Sequence, residues 1–251
     1  MDDYNKDYYS DEVAQISYLP FFRCDKKDQY TIYKQKHPYT LWVDVITYVN
    51  IGLDQEFYQG IHRVENPESL TVLVNKYRQL GEDYIPADLE KINPLFNPYG
   101  LMLRHEARVA FEKMCNDALE QGVHLEAIST FRSFYYQWKV YLNNITPYMS
   151  LEEYQPSRDR VSARPGHSEH QTGLAVDINE LEQSFEHTLA GKWLVANAQS
   201  YGFILRYPKG KEEITGYDYE PWHFRYVGKD LAEAIYDSSL TYDEFYSRYM
   251  E

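Results

Sequence analysis

Apolar side chains recur at intervals of three and four residues in the middle of the chain, which is the periodicity of an amphipathic helix. The positions are Leu103, Ala107, Ala110, Phe111, Met114 and Ala118, with Gly122 where a C-terminal cap belongs. Residues 137–144 and 189–201 are predicted to be further helices, the second ending at Gly202, and the acidic tail from Lys229 is also predicted to be helical.

Shorter apolar runs, several of them β-branched, predict strands at 71–76, 125–130, 176–178, 203–207 and 222–227. Residues 151–166 are polar, rich in arginine and contain Pro156 and Pro165, and they are predicted to form an exposed loop. Strands and helices are interspersed without regular βαβ alternation. This order predicts an α+β fold with an antiparallel sheet.

The beginning of the chain has a different character. Residues 1–40 are polar, rich in Tyr, Lys and Asp and only weakly periodic, which indicates a loose arm or an added lobe. The apolar stretch from Tyr39 to Leu53 predicts one element of a packed surface. We therefore predict an N-terminal extension or extra lobe at 1–64 and a main domain at 65–251.

Composition excludes several classes of protein. The 251 residues include 25 Lys+Arg and 39 Asp+Glu, a net charge of −14 that disfavours a nucleic-acid partner. Cys24 and Cys115 are too few for a disulfide framework or an all-cysteine metal site, and they either pair or stay free. No apolar run approaches the length of a membrane span. The pattern carries no signal for an oligomeric state.

Two histidines and one aspartate supply ligands typical of a catalytic zinc ion. His170 and Asp177 lie seven residues apart, with the small residues Gly173 and Ala175 between them, and His223 lies 46 residues beyond Asp177. Two imidazoles and one carboxylate leave the fourth position of a tetrahedral zinc open for water. The H-x6-D spacing taken alone is weak evidence, because a solvated histidine near a surface aspartate explains most such spacings.

Glu220 lies three residues before His223, and Pro221 between them excludes a regular helix interior. Its carboxylate would therefore reach a water on the metal without being a ligand itself. Zinc lowers the pKa of such a water to about 7, and a nearby carboxylate then acts as general base.

The complete set of motifs resembles the zinc D-Ala-D-Ala peptidases of the VanY and VanX type, the LAS metallopeptidases. The match runs through residues 164–177, RPGHSEHQTGLAVD, and includes residues 129–137 upstream and residues 220–228, EPWHFRYVG, downstream. It covers roughly residues 65–235 without a departure at any motif position. The resemblance implies a zinc peptidase domain at 65–251, in which a small antiparallel sheet is flanked by helices and the zinc lies in the central cleft.

The resemblance also implies a role for each motif position. His170, Asp177 and His223 would bind one zinc ion, and Glu220 would be the catalytic base. Arg132 resembles the family's cationic group over the scissile carbonyl. That role is physically reasonable, because a fixed guanidinium stabilises a developing oxyanion.

Further residues are candidates for contact with the substrate. Ser168 and Gln137 resemble the family's hydrogen-bonding groups for the C-terminal end of the peptide. Arg164 and Arg206, together with Tyr207, are expected to line the groove and meet a substrate carboxylate. The alternative for the two arginines is that they are solvated loop cations on an acidic protein.

The function that the resemblance implies is that of a zinc carboxypeptidase that removes C-terminal D-Ala from peptidoglycan stem peptides, at a D,D or an L,D bond. A D-Ala-D-Ala dipeptidase or a cell-wall endopeptidase of the same fold is the alternative within enzymes. A non-catalytic wall-binding module is a third interpretation, which the presence of Glu220 disfavours. The mixed nitrogen and oxygen ligands disfavour a metal-storage protein.

Location follows from function only indirectly. Wall peptides are met outside the membrane, whereas the start Met1-Asp2-Asp3-Tyr4 lacks the pattern of a secretory signal. We expect a cell-surface protein whose signal or anchor is missing from this chain. A cytoplasmic enzyme acting on precursors or free dipeptide is the alternative.

Overall fold

The computed structural model describes residues 12–13, 15–143 and 145–251. These residues form two compact units: one comprises Ile61–Thr241, and the other comprises the described residues up to Gly60 together with Tyr242–Glu251. Residues 1–11 and 14 of the predicted arm, and Asn144 at the predicted end of a helix, lie outside the described residues. The functional division into an extension at 1–64 and a catalytic domain at 65–251 stays a prediction.

A four-stranded antiparallel sheet is the centre of the unit Ile61–Thr241. Two smaller strand pairs precede it, β1–β2 parallel and β3–β4 antiparallel. The strands formed by the described residues are β1 (His62–Arg63), β2 (Arg78–Gln79), β3 (Leu89–Lys91), β4 (Met102–Arg104), β5 (Ala127–Ser129), β6 (Ala175–Ile178), β7 (Phe203–Leu205) and β8 (His223–Tyr226). The central sheet has the order β5-β6-β8-β7, so β6 and β8 are its inner strands and pair Asp177 with His223.

Helices flank this sheet. In chain order, the helices whose bounds lie wholly within the described residues are α1 (Lys27–Lys36), α2 (Trp42–Ile51), α3 (His105–Glu120), α4 (Phe134–Tyr141), α5 (Leu151–Arg158), α6 (Leu189–Asn197), α7 (Glu212–Thr215), α8 (Lys229–Ser238) and α9 (Tyr242–Tyr249). The apolar stripe of α3 is buried and packs with Leu174, Val176 and Phe224 of the sheet region in one core. This core fixes the sheet that carries the candidate site.

The predicted α+β class and the small antiparallel sheet flanked by helices are confirmed. The helix predicted from the apolar positions Leu103 to Ala118 corresponds to α3. The helix predicted at 189–201 corresponds to α6 and a following 3-10 turn, Ala198–Tyr201. Four of the five predicted strands, all but 71–76, correspond to β5, β6, β7 and β8. The acidic tail forms two helices, α8 and α9.

Two predicted elements are wrong. Residues 71–76 form no strand, because the carbonyls of Leu70 and Val72 accept hydrogen bonds from the guanidinium of Arg225 at 3.0 and 2.8 Å. The predicted loop at 151–166 begins with helix α5, which tolerates Pro156. That helix starts with a capping box, in which Ser150 and Glu153 satisfy each other's backbone N–H groups.

The second unit has a core of its own. Tyr30, Val45, Ile46 and Val49 are buried there, and the hydroxyl of Tyr30 donates a hydrogen bond to Asn50 Oδ1 at 2.7 Å. Helices α1 and α9 both pack on α2. The described part of the N-terminal segment therefore contains packed, buried side chains, and its assignment as an extension or extra lobe at 1–64 stays a prediction.

Cys24 is exposed, Cys115 is buried in α3, and both are free. No helix in the described part of the chain combines the length and the apolar character that a membrane crossing requires.

Candidate active site

Hydrogen bonds hold both the backbone amide and the imidazole ring of His170. It lies in a 3-10 turn, Glu169–Thr172, whose first N–H groups are capped by Ser168, since the Ser168 hydroxyl accepts from the His170 amide at 3.3 Å. Its Nδ1 lies 2.7 Å from the carbonyl oxygen of Thr130, an acceptor, so Nδ1 carries the proton of the neutral ring. The lone pair of Nε2 is therefore directed into the site.

Asp177 and His223 are brought together by strand pairing. They are direct partners on β6 and β8, and His223 Nδ1 lies 3.1 Å from Asp177 Oδ1. Asp177 Oδ2 lies 3.2 Å from His170 Nε2. Residues 46 positions apart in sequence are thus neighbours because an antiparallel register places them so.

These three buried residues fit a metal ion. One ligand atom from each lies within 4.8 Å of the others. Among the described residues, His170 Nε2 and Asp177 Oδ1 have no hydrogen-bond partner, although buried polar atoms are normally paired. Two imidazoles and one carboxylate are also a donor set that zinc favours, with one coordination position left open.

Charges around the triad favour a cation as well. Burial alone would lower the pKa of His223, but its contacts with Asp177 and Glu169, with Glu220 nearby, raise that pKa to about 9. Burial also opposes ionisation of Asp177, yet His170 and His223 hold the pKa of its carboxyl well below the usual range. The Asp177 carboxyl therefore stays ionised at low pH, and its negative charge attracts a cation.

The carboxylate of Glu220 lies beside His223 but is not one of the three clustered ligands. Its Oε2 lies 3.5 Å from His223 Nδ1, and its backbone N–H donates to the carbonyl of Tyr207 at 3.2 Å. Burial raises the pKa of the Glu220 carboxyl to about 7. A carboxylate with a pKa near neutrality is suited to accept and return a proton.

Arg132 lies on the other side of Asp177, 3.6 Å from Oδ2. Its Nη1 donates to Gln137 Oε1 at 3.1 Å, and the Gln137 amide nitrogen donates to the carbonyl of Ala163 at 2.7 Å. Gln137 therefore uses both ends of its side chain inside the protein. This arrangement holds Arg132 and the wall at Ala163, and it leaves Gln137 little capacity for the substrate contact predicted from sequence.

A cleft of about 490 Å³ opens over these groups. Ser168, Gln137, Tyr207, Arg132 and Glu220 all line it, together with the three residues of the triad. The ring of Tyr207 lies 4.8 Å from that of His223. Of the residues predicted to contact the substrate, Ser168, Gln137 and Tyr207 are therefore at the cleft.

Arg206 and Arg164 lie elsewhere. Arg206 is 1% exposed and does not line the cleft; its Nε donates to Glu169 Oε1 at 2.8 Å. Arg164 pairs with the carboxylate of Asp159. The expectation that Arg206 meets a substrate carboxylate does not agree with this placement, because a buried carboxylate of the protein already occupies its guanidinium.

Glu169 is the residue of this region that the sequence did not indicate. It occupies an unassigned position of the motif beside His170, and its two arginine partners, Arg206 and Arg225, are 37 and 56 residues away. Burial alone would raise its pKa, but the two guanidiniums hold the pKa of Glu169 well below its usual range. No spacing in the chain signals this cluster.

Comparison with known proteins agrees with the site. The family model described as VanY, D-alanyl-D-alanine carboxypeptidase, matches residues 100–229. The chain belongs to the VanY family. This confirms the resemblance and the predicted enzyme class, a metallopeptidase of carboxypeptidase type.

Two proteins that this VanY-family chain resembles are named as carboxypeptidases. It is 41% identical over 205 residues to a Bacillus subtilis (strain 168) protein named "Putative carboxypeptidase YodJ", covering 75% of this chain and 71% of the relative. The solved structure of the LdcB LD-carboxypeptidase is 39% identical, with a TM-score of 0.69 over 76% of this chain and 91% of LdcB.

A second solved structure contains a metal. It is the vancomycin resistance D,D-pentapeptidase VanY in complex with Zn(II), 31% identical, with a TM-score of 0.60 over 71% of this chain and 98% of that protein. Together with the triad His170, Asp177 and His223, it supports a metal at this site of the VanY-family chain.

Proposed function

We propose that this protein is a zinc carboxypeptidase that releases C-terminal D-Ala from peptidoglycan stem peptides. The observation that carries the proposal is the buried triad, whose ligand atoms lie within 4.8 Å of one another beside the carboxylate of Glu220. One zinc ion would be held by His170 Nε2, a carboxylate oxygen of Asp177 and His223 Nδ1. Zinc at this position supplies a Lewis acid that polarises a carbonyl and makes water nucleophilic at neutral pH.

Residues of the chain transfer the proton, stabilise the oxyanion and contact the substrate. Glu220 accepts the proton of the attacking water and returns it to the leaving amine, since its carboxylate lines the cleft and has a pKa near neutrality. Arg132, half-buried and held by Gln137, faces the oxyanion that develops on the scissile carbonyl. Ser168 and Tyr207 border the C-terminal residue of the bound peptide.

The substrate class rests on the relatives. The family is described by D-alanyl-D-alanine carboxypeptidase activity, and the LdcB structure is described as revealing peptidoglycan recognition. Because stem peptides of the assembled wall lie outside the membrane, we also propose that the protein acts at the cell surface. The higher identity to LdcB, 39% against 31% for VanY, favours an L,D bond and hence a tetrapeptide.

Release of D-Ala from a pentapeptide and from a tetrapeptide tests the proposal, each with zinc and with a chelator present. Zinc-dependent release from the tetrapeptide is the expected result. Release from the pentapeptide alone would make the enzyme a D,D-carboxypeptidase. If zinc is bound but neither peptide loses D-Ala, the carboxypeptidase assignment fails, and free D-Ala-D-Ala and cross-linked peptide become the substrates to assay.

A further inference from the structure

Glu169 is a fully enclosed carboxylate directly beneath the candidate metal ligands. Its side chain is 0% exposed, and its Oε1 accepts hydrogen bonds from Arg206 Nε at 2.8 Å and from Arg225 Nη1 at 3.1 Å. Arg225 is itself fixed, because its Nη2 donates to the carbonyls of Leu70 and Val72. The direction of the Glu169 carboxylate is therefore set by two buried guanidiniums.

The other oxygen of this carboxylate faces a metal-ligand candidate. Glu169 Oε2 and His223 Nε2 are both buried, and neither has a hydrogen-bond partner among the described residues. The two atoms lie 3.7 Å apart. A buried polar atom without a partner is costly, so two such atoms facing each other indicate a donor and an acceptor that a movement of less than 1 Å would join.

This contact decides which nitrogen of His223 is available to a metal. A neutral imidazole carries its proton on one nitrogen only. With the proton on Nε2, directed at Glu169, the lone pair of Nδ1 faces Asp177 and Glu220, at 3.1 and 3.5 Å. With the proton on Nδ1, that nitrogen would donate to Asp177 and would offer no lone pair.

His170 shows the same principle with the nitrogens exchanged. Its Nδ1 is held by the carbonyl of Thr130, and its Nε2 faces the site. Each histidine of the triad thus has a fixed acceptor on the nitrogen that points away from the site. For His223 that acceptor is a charged one, which makes the stronger hydrogen bond.

We propose that Glu169, held by Arg206 and Arg225, is a positioning residue that accepts the Nε2 proton of His223 and so directs Nδ1 toward the zinc. The proposal rests on the proposed function only in taking zinc as the metal. Groups that orient a metal ligand in this way typically change metal affinity 10- to 100-fold when they are removed.

The substitution Glu169→Gln makes the sharpest test. A glutamine has one acceptor oxygen, so if that oxygen serves the two arginines, its NH2 group faces His223 Nε2 and opposes a proton there. Glu169→Asp keeps the negative charge for Arg206 and Arg225 but withdraws the carboxylate from His223 by one methylene. Asp88→Asn is the matched control, because Asp88 also pairs with a buried arginine, Arg104.

Two quantities are measured on the whole 251-residue chain: zinc affinity, by competition with a chelator, and the ring N–H signals of the histidines in the zinc-loaded, ¹⁵N-labelled protein. In the wild type we expect His223 to show a low-field Nε2–H signal and His170 an Nδ1–H signal. In Glu169→Gln we expect zinc affinity to fall about 10- to 100-fold and the His223 signal to move to higher field or broaden by exchange. Asp88→Asn should change neither.

The outcomes distinguish a failure of the proposed zinc function from a failure of the role assigned to Glu169. If the wild type binds no zinc, the proposed function fails. If it binds zinc, an unchanged affinity or an unchanged Nε2–H signal in a folded Glu169→Gln protein overturns the role of Glu169, and so does an equal loss in Asp88→Asn. Should Glu169→Gln not fold, Glu169→Asp is read by the same criteria: a shifted signal with lower affinity supports the proposal, and wild-type values overturn it.

Discussion

Glu220 is the residue through which the proposed chemistry passes most directly. Its carboxylate lies beside the triad but is not one of the three clustered ligands. We predict that Glu220→Gln keeps zinc bound and lowers the rate of D-Ala release by at least about 100-fold, because general-base catalysis typically contributes that much or more. Metal content and turnover of the same preparation are the measurements.

The matched control for this variant is Glu213→Gln, which neutralises an exposed carboxylate of α7. Its turnover should equal that of the wild type. Wild-type turnover in Glu220→Gln would remove Glu220 from the mechanism, and loss of zinc from the variant would show that its carboxylate supports the metal instead.

The buried imidazole of His167 should make the folded protein less stable as the pH falls. It is buried, its Nδ1–H donates to the carbonyl of Asn75 at 2.8 Å, and burial lowers its pKa to about 4. An unfolded histidine has a pKa of about 6.5. Between these values the unfolded chain binds the extra proton, so the stability contribution is complete above pH 6.5 and is lost as the pH falls toward 4.

Comparison with His167→Asn isolates this effect, because asparagine keeps an N–H donor and does not titrate. The free energy of unfolding of the wild type should fall, relative to the variant, by up to about 1.4 kcal/mol per pH unit between pH 6 and 4.5. Urea unfolding of both proteins at several pH values measures it. Parallel curves would show that His167 does not titrate in this range.

Residues whose chemistry is explicit could be named from the sequence. Side-chain type and spacing, together with the resemblance to the LAS metallopeptidases, singled out His170, Asp177, His223 and Glu220, and the structure brings these four side chains together. Glu169 gives no such signal, because a glutamate in a polar motif is ordinarily solvated. Its distinguishing feature is enclosure by Arg206, which follows β7, and Arg225 on β8, and only the fold brings these two arginines to it.

At the scale of elements, the turn between the 3-10 helix Glu169–Thr172 and strand β6 sets the spacing of the first two candidate ligands. Gly173 ends that helix with a φ of +67°, and a Cβ there would lie 2.8 Å from Leu89 Cδ2 and 3.0 Å from Arg104 Cγ. Gly122 after α3 has a similar φ of +76° but nothing within 4 Å. A side chain at Gly122 would therefore cause backbone strain alone, whereas a side chain at Gly173 would cause the same strain together with steric crowding.

We predict that Gly122→Ala destabilises the protein by about 1–2 kcal/mol, the cost of a left-handed residue with a Cβ. Gly173→Ala should lose about 1–3 kcal/mol more, because Arg104 is fixed by Asp88 and cannot withdraw freely. It should also lower zinc affinity, since the turn carries His170. Urea unfolding and chelator competition measure both effects; equal losses in the two variants would contradict the crowding argument.

In each of the two mispredicted elements, an interaction that local composition does not reveal determines the secondary structure. Residues 71–76 have the β-branched composition of a strand, but side-chain donors of Arg225 bind the carbonyls at its start. Helix α5 has a polar, proline-containing sequence typical of a loop, but its capping box supplies the start that composition conceals. Local propensity decides secondary structure only where long-range partners and caps do not override it.

At the scale of the whole molecule, the described residues form two compact units, and the candidate site belongs to one of them. The triad lies in the unit Ile61–Thr241, whereas helices α1, α2 and α9 belong to the other unit. Sequence patterns separated an N-terminal segment from the rest of the chain. They could not show that α9, at the far end of the chain, returns to that segment, because a solvated acidic tail has the same composition.

Arg248 on α9 offers a test of this organisation. Its Nη2 donates to Asp44 Oδ1 at 2.8 Å and its Nε to Thr47 Oγ1 at 2.9 Å, both on α2, and its side chain is only 13% exposed. Arg248→Ala removes two hydrogen bonds from a charged donor, and Asp44 is exposed enough to be rehydrated. We therefore expect the unit containing α2 to lose about 1–3 kcal/mol of stability.

Hydrogen exchange of the peptides covering Trp42–Ile51 should accelerate accordingly in Arg248→Ala, whereas zinc affinity should stay at the wild-type value. Arg248→Lys, which keeps the charge but not the two-pronged geometry, should lie between the two proteins in exchange rate. Accelerated exchange with unchanged zinc affinity would mean that the metal site depends on the core of its own unit. A fall in zinc affinity that parallels the exchange would instead show that the lobe built from both ends of the chain supports the site.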